Sequence, residues 1–332
     1  MKPRHILFLF ITTLICAAAA WFSRPAHEAA GTLKPGDLLA SCGNPVSFQL
    51  KSPQGELNFS LKKGVWEIDS RAGFGADQDL VAQHLEIFSR LKVSRSLPAA
   101  DGLAPYGLGD GQNPNDAPIH LSLKDAAGKS FSCSLGKRHE VQGKGVGRYV
   151  IRDGDASPVL IGDPLDMLRP LPQIWLRKVV PGVNELLSLS FKRGNARLWQ
   201  ASRKSNAEAF KFGLPISLSK LEPQAAYDLC NQILQVRFMD VTSSDGAVVA
   251  DPSCAGETFE VSDIEGRIIR LVAIRPEGIS MRCRLEVKAS TLNSDDSRSA
   301  ELQERAIDWH FLVPLKLWNI AAKDVLRLSG GS

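Results

Sequence analysis

From Val46 onward the chain alternates apolar and polar positions in short runs. Val46, Phe48 and Leu50 share one side of a strand, and Leu57, Phe59 and Leu61 repeat the period of two after the turn residues Pro53 to Gly55. Lys63-Gly64 then leads into Val65 to Ile68. A second hairpin is predicted where Ile119, Leu121 and Leu123 face Phe131, Cys133 and Leu135 across Ala127-Gly128. After Gly143 to Gly147 come a strand from Arg148 to Arg152 and a short apolar run, Val159 to Gly162.

The period changes to that of a helix after Asp77, a side chain suited to capping. Leu80, Val81, Leu85, Phe88 and Leu91 form an apolar stripe that runs to about Lys92. Asp163 to Leu168 reads as a helical turn interrupted by Pro170 and Pro172. The second half repeats this order of elements. Leu187, Leu189 and Phe191 stand for the first strand, Gly194 for Gly55, and Phe210 and Phe212 for Trp66 and Ile68. A helix from Pro223 to about Phe238 sets Leu229 against Leu85, and Gly266 corresponds to Gly128, at nearly constant separation. A strand with Ile279, Met281, Cys283, Leu285 and Val287 on one face follows, then a strand through Trp309, Phe311 and Val313. The last element is a helix presenting Leu317, Trp318, Ala321, Val325 and Leu328.

These patterns predict an α+β fold: two related units of antiparallel β-hairpins, each with a packed helix, after an N-terminal membrane helix. The expected boundaries are 1–22 for a membrane anchor or signal segment, 23–44 for a connector, 45–182 for the first unit and 183–332 for the second, a diverged repeat.

The N-terminus changes the picture of where the chain works. Lys2, Arg4 and His5 precede an uncharged run from Ile6 to Phe22, which favours an N-terminus in the cytoplasm and the bulk in the periplasm. Two outcomes are open: retention as a single-pass inner-membrane anchor, or cleavage after the small residues Ala18 and Ala20, which releases the chain into the periplasm. Disulfides are permitted there, yet Cys133, Cys230 and Cys283 read as small buried hydrophobes, and nothing fixes a pairing of Cys254 with Cys283. Hydrophobic residues at 44% and charged residues at 23% describe a folded globular chain and exclude a polytopic membrane protein. The net charge of +4 is spread along the sequence, and pairs such as Lys192/Arg193 and Arg282/Arg284 read as solvated strand faces, so nucleic acid is not an expected partner.

Several short motifs occur in a recognisable order. They are Gly64-Val-Trp66, Ala76-Asp77-Gln78, Tyr106-Gly107-Leu108, Leu135-Gly136 closing the hairpin around Gly128, Gly147-Arg-Tyr149-Val150, Trp175-Leu-Arg177-Lys178 and Trp309-His-Phe311-Leu-Val-Pro314. In this order the chain resembles the family of the domain of unknown function numbered 4340 (DUF4340), most closely from Val46 to Val180. The Trp175 segment is more basic than the form expected from that resemblance. What the resemblance implies is a protein anchored by one N-terminal helix and auxiliary to a membrane transporter of the ABC type, including those of gliding motility. It implies no catalytic residues.

Candidate chemistry adds little. His84 reads as a helix-flank residue one turn from Leu80 and Phe88, and His120 and His310 alternate with strand apolars toward solvent. His139 opens a glycine-rich loop with no second histidine at metal-ligand spacing. Gly143-Lys-Gly145-Val-Gly147 lacks the Ser or Thr and the helix of a phosphate loop. Asp110 to Asp116 is broken by Pro114, and Asp153, Asp155, Asp163 and Asp166 read as turn formers. No catalytic, cofactor-binding or metal residues are therefore assigned, and no cofactor is expected. The predicted function is a non-catalytic binding or scaffolding role at the inner membrane, with transporter subunits as partners. The alternative is an envelope hydrolase or polymer-binding protein with a site between the two units.

Overall fold

The computed structural model describes residues 43–98, 102–109, 117–141, 145–180, 183–214, 238–244, 248–288 and 306–319, with positions 231, 303 and 321 besides. The described residues are mostly β, with 50% of them in strands that form two large antiparallel sheets and only three short helices among them. This corrects the expected α+β class. The period of two covers half of the described residues, whereas among them a helical period lasts more than a turn or two only in α1, Gln78–Arg90. The others are α2, Pro172–Trp175, and α3, Leu315–Asn319. No helix among the described residues is long and apolar enough to cross a membrane. Ile6 to Phe22, nearly all of the helix expected from Pro223, and the end of the final helix lie outside the described residues.

Two compact units divide the chain. One gathers Met1–Asn44 with Glu86–Asp166, the other Pro45–Leu85 with Met167–Ser332. The first contains β5 (Val93–Ser96), β6 (Ile119–Asp125), β7 (Ser130–Val141), β8 (Gly145–Arg152) and β9 (Val159–Ile161), in the order β6-β7-β8-β9-β5. Ile119, Leu121, Leu123, Phe131, Cys133 and Leu135 are all buried, as their alternation requires. The Tyr106-Gly107-Leu108 tripeptide lies against β7 where its register shifts between Leu135 and Arg138. A Cβ on Gly136 would come within 2.3 Å of the Tyr106 carbonyl, so only glycine permits this approach.

The second unit contains β1 (Pro45–Ser52), β2 (Gly55–Lys62), β3 (Val65–Ile68) and β4 (Phe74–Gly75), in the order β4-β3-β2-β1. Asp77 Oδ1 accepts from the Leu80 amide at 3.2 Å and caps α1 as expected. Gln78 ties this helix start to β3, accepting from the Trp66 amide at 2.8 Å and donating to its carbonyl at 2.9 Å. Trp175 is fully buried against Phe48 and Phe59, and its Nε1 donates to the Arg169 carbonyl at 2.7 Å. Pro172 begins α2 instead of merely breaking a helix at Asp163 to Leu168, since a proline at the first position loses no hydrogen bond.

The remaining strands are β10 (Leu186–Arg193), β11 (Ala196–Ser202), β12 (Lys211–Leu214), β13 (Asp240–Ser243), β14 (Glu257–Asp263), β15 (Ile268–Glu277), β16 (Ser280–Lys288) and β17 (Trp309–Pro314). They form one sheet in the order β12-β11-β10-β14-β15-β16-β17-β13. Phe191, Trp199, Phe259, Leu271, Cys283 and Phe311 are buried on one face. Ile279 departs from the expected strand face: it sits in the turn before β16 and is 75% exposed.

Candidate functional site

The opposite face of the eight-stranded sheet is formed by the residues between those buried apolars. Pairing sets Arg197, Lys192, Thr258, Val272, Arg284 and His310 side by side on β11, β10, β14, β15, β16 and β17. The next row carries Gln200, Ser190, Glu260, Arg270 and Glu286 on the first five of these strands. At one end the β10–β11 turn touches the start of β14, where the Gly194 amide donates to the Gly256 carbonyl at 2.9 Å. A Cβ on Gly256 would approach the Gly194 amide to 2.9 Å, so this join also depends on glycine.

The two rows border an open depression of about 700 Å³. Lys192, Arg197, Arg270 and Arg284 line it, opposed by the single carboxylate of Glu286. Just beside it, Glu260 accepts from Lys192 Nζ at 2.9 Å and from Arg270 Nε at 2.5 Å. Burial would raise the Glu260 carboxyl, but the hydrogen bonds and charges of Lys192 and Arg270 outweigh it and hold it below the usual range. Arg284 Nη2 donates to Glu286 Oε1 at 2.8 Å, and Arg197 Nη1 donates to the Gln200 side-chain oxygen. Each of these guanidinium groups keeps further donors beyond these contacts, in a fork that matches a carboxylate. Cationic donors over an open floor of Thr258 and Val272 suit the capture of an anionic group.

The histidines weighed from the sequence do not gather. His84 is buried, not flanking: its Nδ1 donates to the Leu80 carbonyl at 2.8 Å and its ring packs 4.9 Å from Trp175. His120 shares a 2.9 Å hydrogen bond with Ser134, and His139 one of 2.6 Å with the Tyr149 hydroxyl. His310 is half-buried, contrary to the expectation of a solvent-facing ring, and its Nδ1 is enclosed without a hydrogen-bond partner. Burial, then the charges of Arg282 and Arg284, lower its pKa.

Of the acidic residues, Asp163 accepts from the Leu165 amide, Asp155 pairs with Arg152 and Asp166 with Arg138. Cys133, Cys254 and Cys283 are unbridged and buried. Burial, with the charge of Asp153, pushes the Cys133 thiol up to about 12. Among the described residues no group of three or more His, Cys, Asp or Glu side chains is arranged to hold a metal ion.

In the sequence Lys192/Arg193 and Arg282/Arg284 read as solvated pairs with no shared role. The structure splits each pair. Lys192 and Arg284 join one row, while Arg193 pairs with Glu257 and Arg282 with Glu277. Nothing in the sequence singles out Arg197 or Arg270. Alternation reveals which face a residue takes but not which strands become neighbours, so the cluster had no sequence signal. No protein-family model matches the chain, and neither the curated proteins nor the solved structures compared with it give a match.

Proposed function

We propose that this chain is a non-catalytic binding or scaffolding protein of the cell envelope, auxiliary to an ABC-type membrane transport complex, and that the charged sheet face is its recognition surface. The observation that carries the reading is the row from Arg197 to Arg284, whose three cationic side chains, with Arg270 of the adjacent row, border an open depression against two carboxylates, Glu286 in its lining and Glu260 beside it. Structural ion pairs alone need no such excess of one sign, whereas a surface that attracts a partner does. The link to a transport complex rests on the sequence resemblance, and the envelope location rests on Lys2 and Arg4 ahead of Ile6 to Phe22.

A photo-crosslinking residue placed at Thr258 in intact cells should give a discrete adduct. The same residue placed at Gln83, exposed on α1, is the control and should not give it. The adduct should disappear when Arg197 and Arg284 are both replaced by Glu, with the chain still present at its normal level. The same products from Thr258 and Gln83, or an adduct indifferent to the charge reversal, overturns the assignment of this face.

A further inference from the structure

We infer that the charged face takes an extended acidic segment of a partner protein, lying across the strands along Arg197, Lys192, Thr258, Val272 and Arg284. This inference rests on the binding role proposed above and names the chemistry of the partner. Neighbouring strands are about 4.8 Å apart, so Lys192 on β10 and Arg284 on β16, three strand steps away, lie about 14 Å apart. An extended polypeptide rises about 3.3 Å per residue, so carboxylates four residues apart span about 13 Å and meet both cations. The whole row from Arg197 takes four steps, about 19 Å, the length of about six extended residues.

Between the cations Thr258 and Val272 offer an uncharged floor, suited to the small or apolar side chains between two acidic ones. The adjacent row argues against a dense polyanion. A nucleic-acid duplex carries a charge about every 1.7 Å of its axis and would set some of its phosphates against Glu260 and Glu286, where widely spaced carboxylates avoid them. Arg270 engages Glu260 through Nε and Arg284 engages Glu286 through Nη2, so both retain donors for a further carboxylate.

The test uses the full chain purified in mild detergent and a fluorescent peptide with Asp at every fourth position among Ser, Thr and Val, followed by anisotropy. An otherwise identical peptide with Asn for Asp, an anionic polysaccharide and vesicles containing anionic phospholipid are the other probes. The acidic peptide should bind and the Asn peptide should not. Arg197→Gln and Arg284→Gln should each weaken binding about three- to fivefold, the scale of an exposed ion pair, with unchanged Tm. Rising salt should weaken it further. If the polysaccharide or the vesicles bind, the two variants lose that binding and the acidic peptide fails, the acidic-segment inference is overturned while the recognition face stands. If no probe binds in a way that depends on Arg197 and Arg284, both fail.

Discussion

His310 occupies β17 opposite Arg284 on one side and Thr242 on the other, with its Nδ1 enclosed and unsatisfied. Its pKa in the fold is held below the ordinary 6.5, so below that pH the unfolded chain binds more protons than the folded one. Stability should therefore fall as pH drops below 6.5 toward the folded value, and His310→Gln should flatten this part of the profile. Tm measured from pH about 7 to about 5 checks it, and an unaltered slope in the variant removes His310 from the account. Glu260 behaves as the acidic counterpart: its contribution is complete above the ordinary 4.5 and is lost as pH falls through its lower folded value. At this scale the sequence told who alternates with whom, but His84 shows what it leaves out. An imidazole can take an apolar place once a helix carbonyl satisfies its Nδ1 and Trp175 covers its ring, and neither partner is visible from spacing.

Among the elements, α1 depends on its start. Asp77 satisfies one of the first amides of the helix, so Asp77→Ala should cost about 1 kcal/mol, read as a lower urea midpoint with an unchanged m value. An unchanged midpoint would show that the cap contributes nothing. The hairpins were the most legible elements because alternating apolars and a turn glycine specify them together. Gly128 and Gly266 adopt φ of 82° and 79° in the β6–β7 and β14–β15 turns. The order β6-β7-β8-β9-β5 also has its counterpart in β14-β15-β16-β17-β13. The edge strands β5 and β13 were not legible. Val93–Ser96 and Asp240–Ser243 are four residues each with little apolar alternation, and their partners β9 and β17 define them as strands.

For the whole molecule, the proposed location outside the cytoplasm is open to a direct measurement. A reporter active only outside the cytoplasm, fused after Ser332, should be active, and an inactive one would reverse the orientation inferred from Lys2 and Arg4. The fold class is not legible at this scale because amphipathic runs, taken one segment at a time, divide between helix and strand. A sheet wins when its inner row continues from strand to strand, as from Trp199 through Phe191 to Phe259, and that continuity exists only after pairing. The unbridged thiols have a consequence of their own. Enclosed and protonated, they react with an alkylating reagent only when the backbone around them opens. Cys133 therefore keeps time for the strands around β7 and Cys283 for those around β16, two internal clocks that report separately how often each sheet comes apart in the living cell.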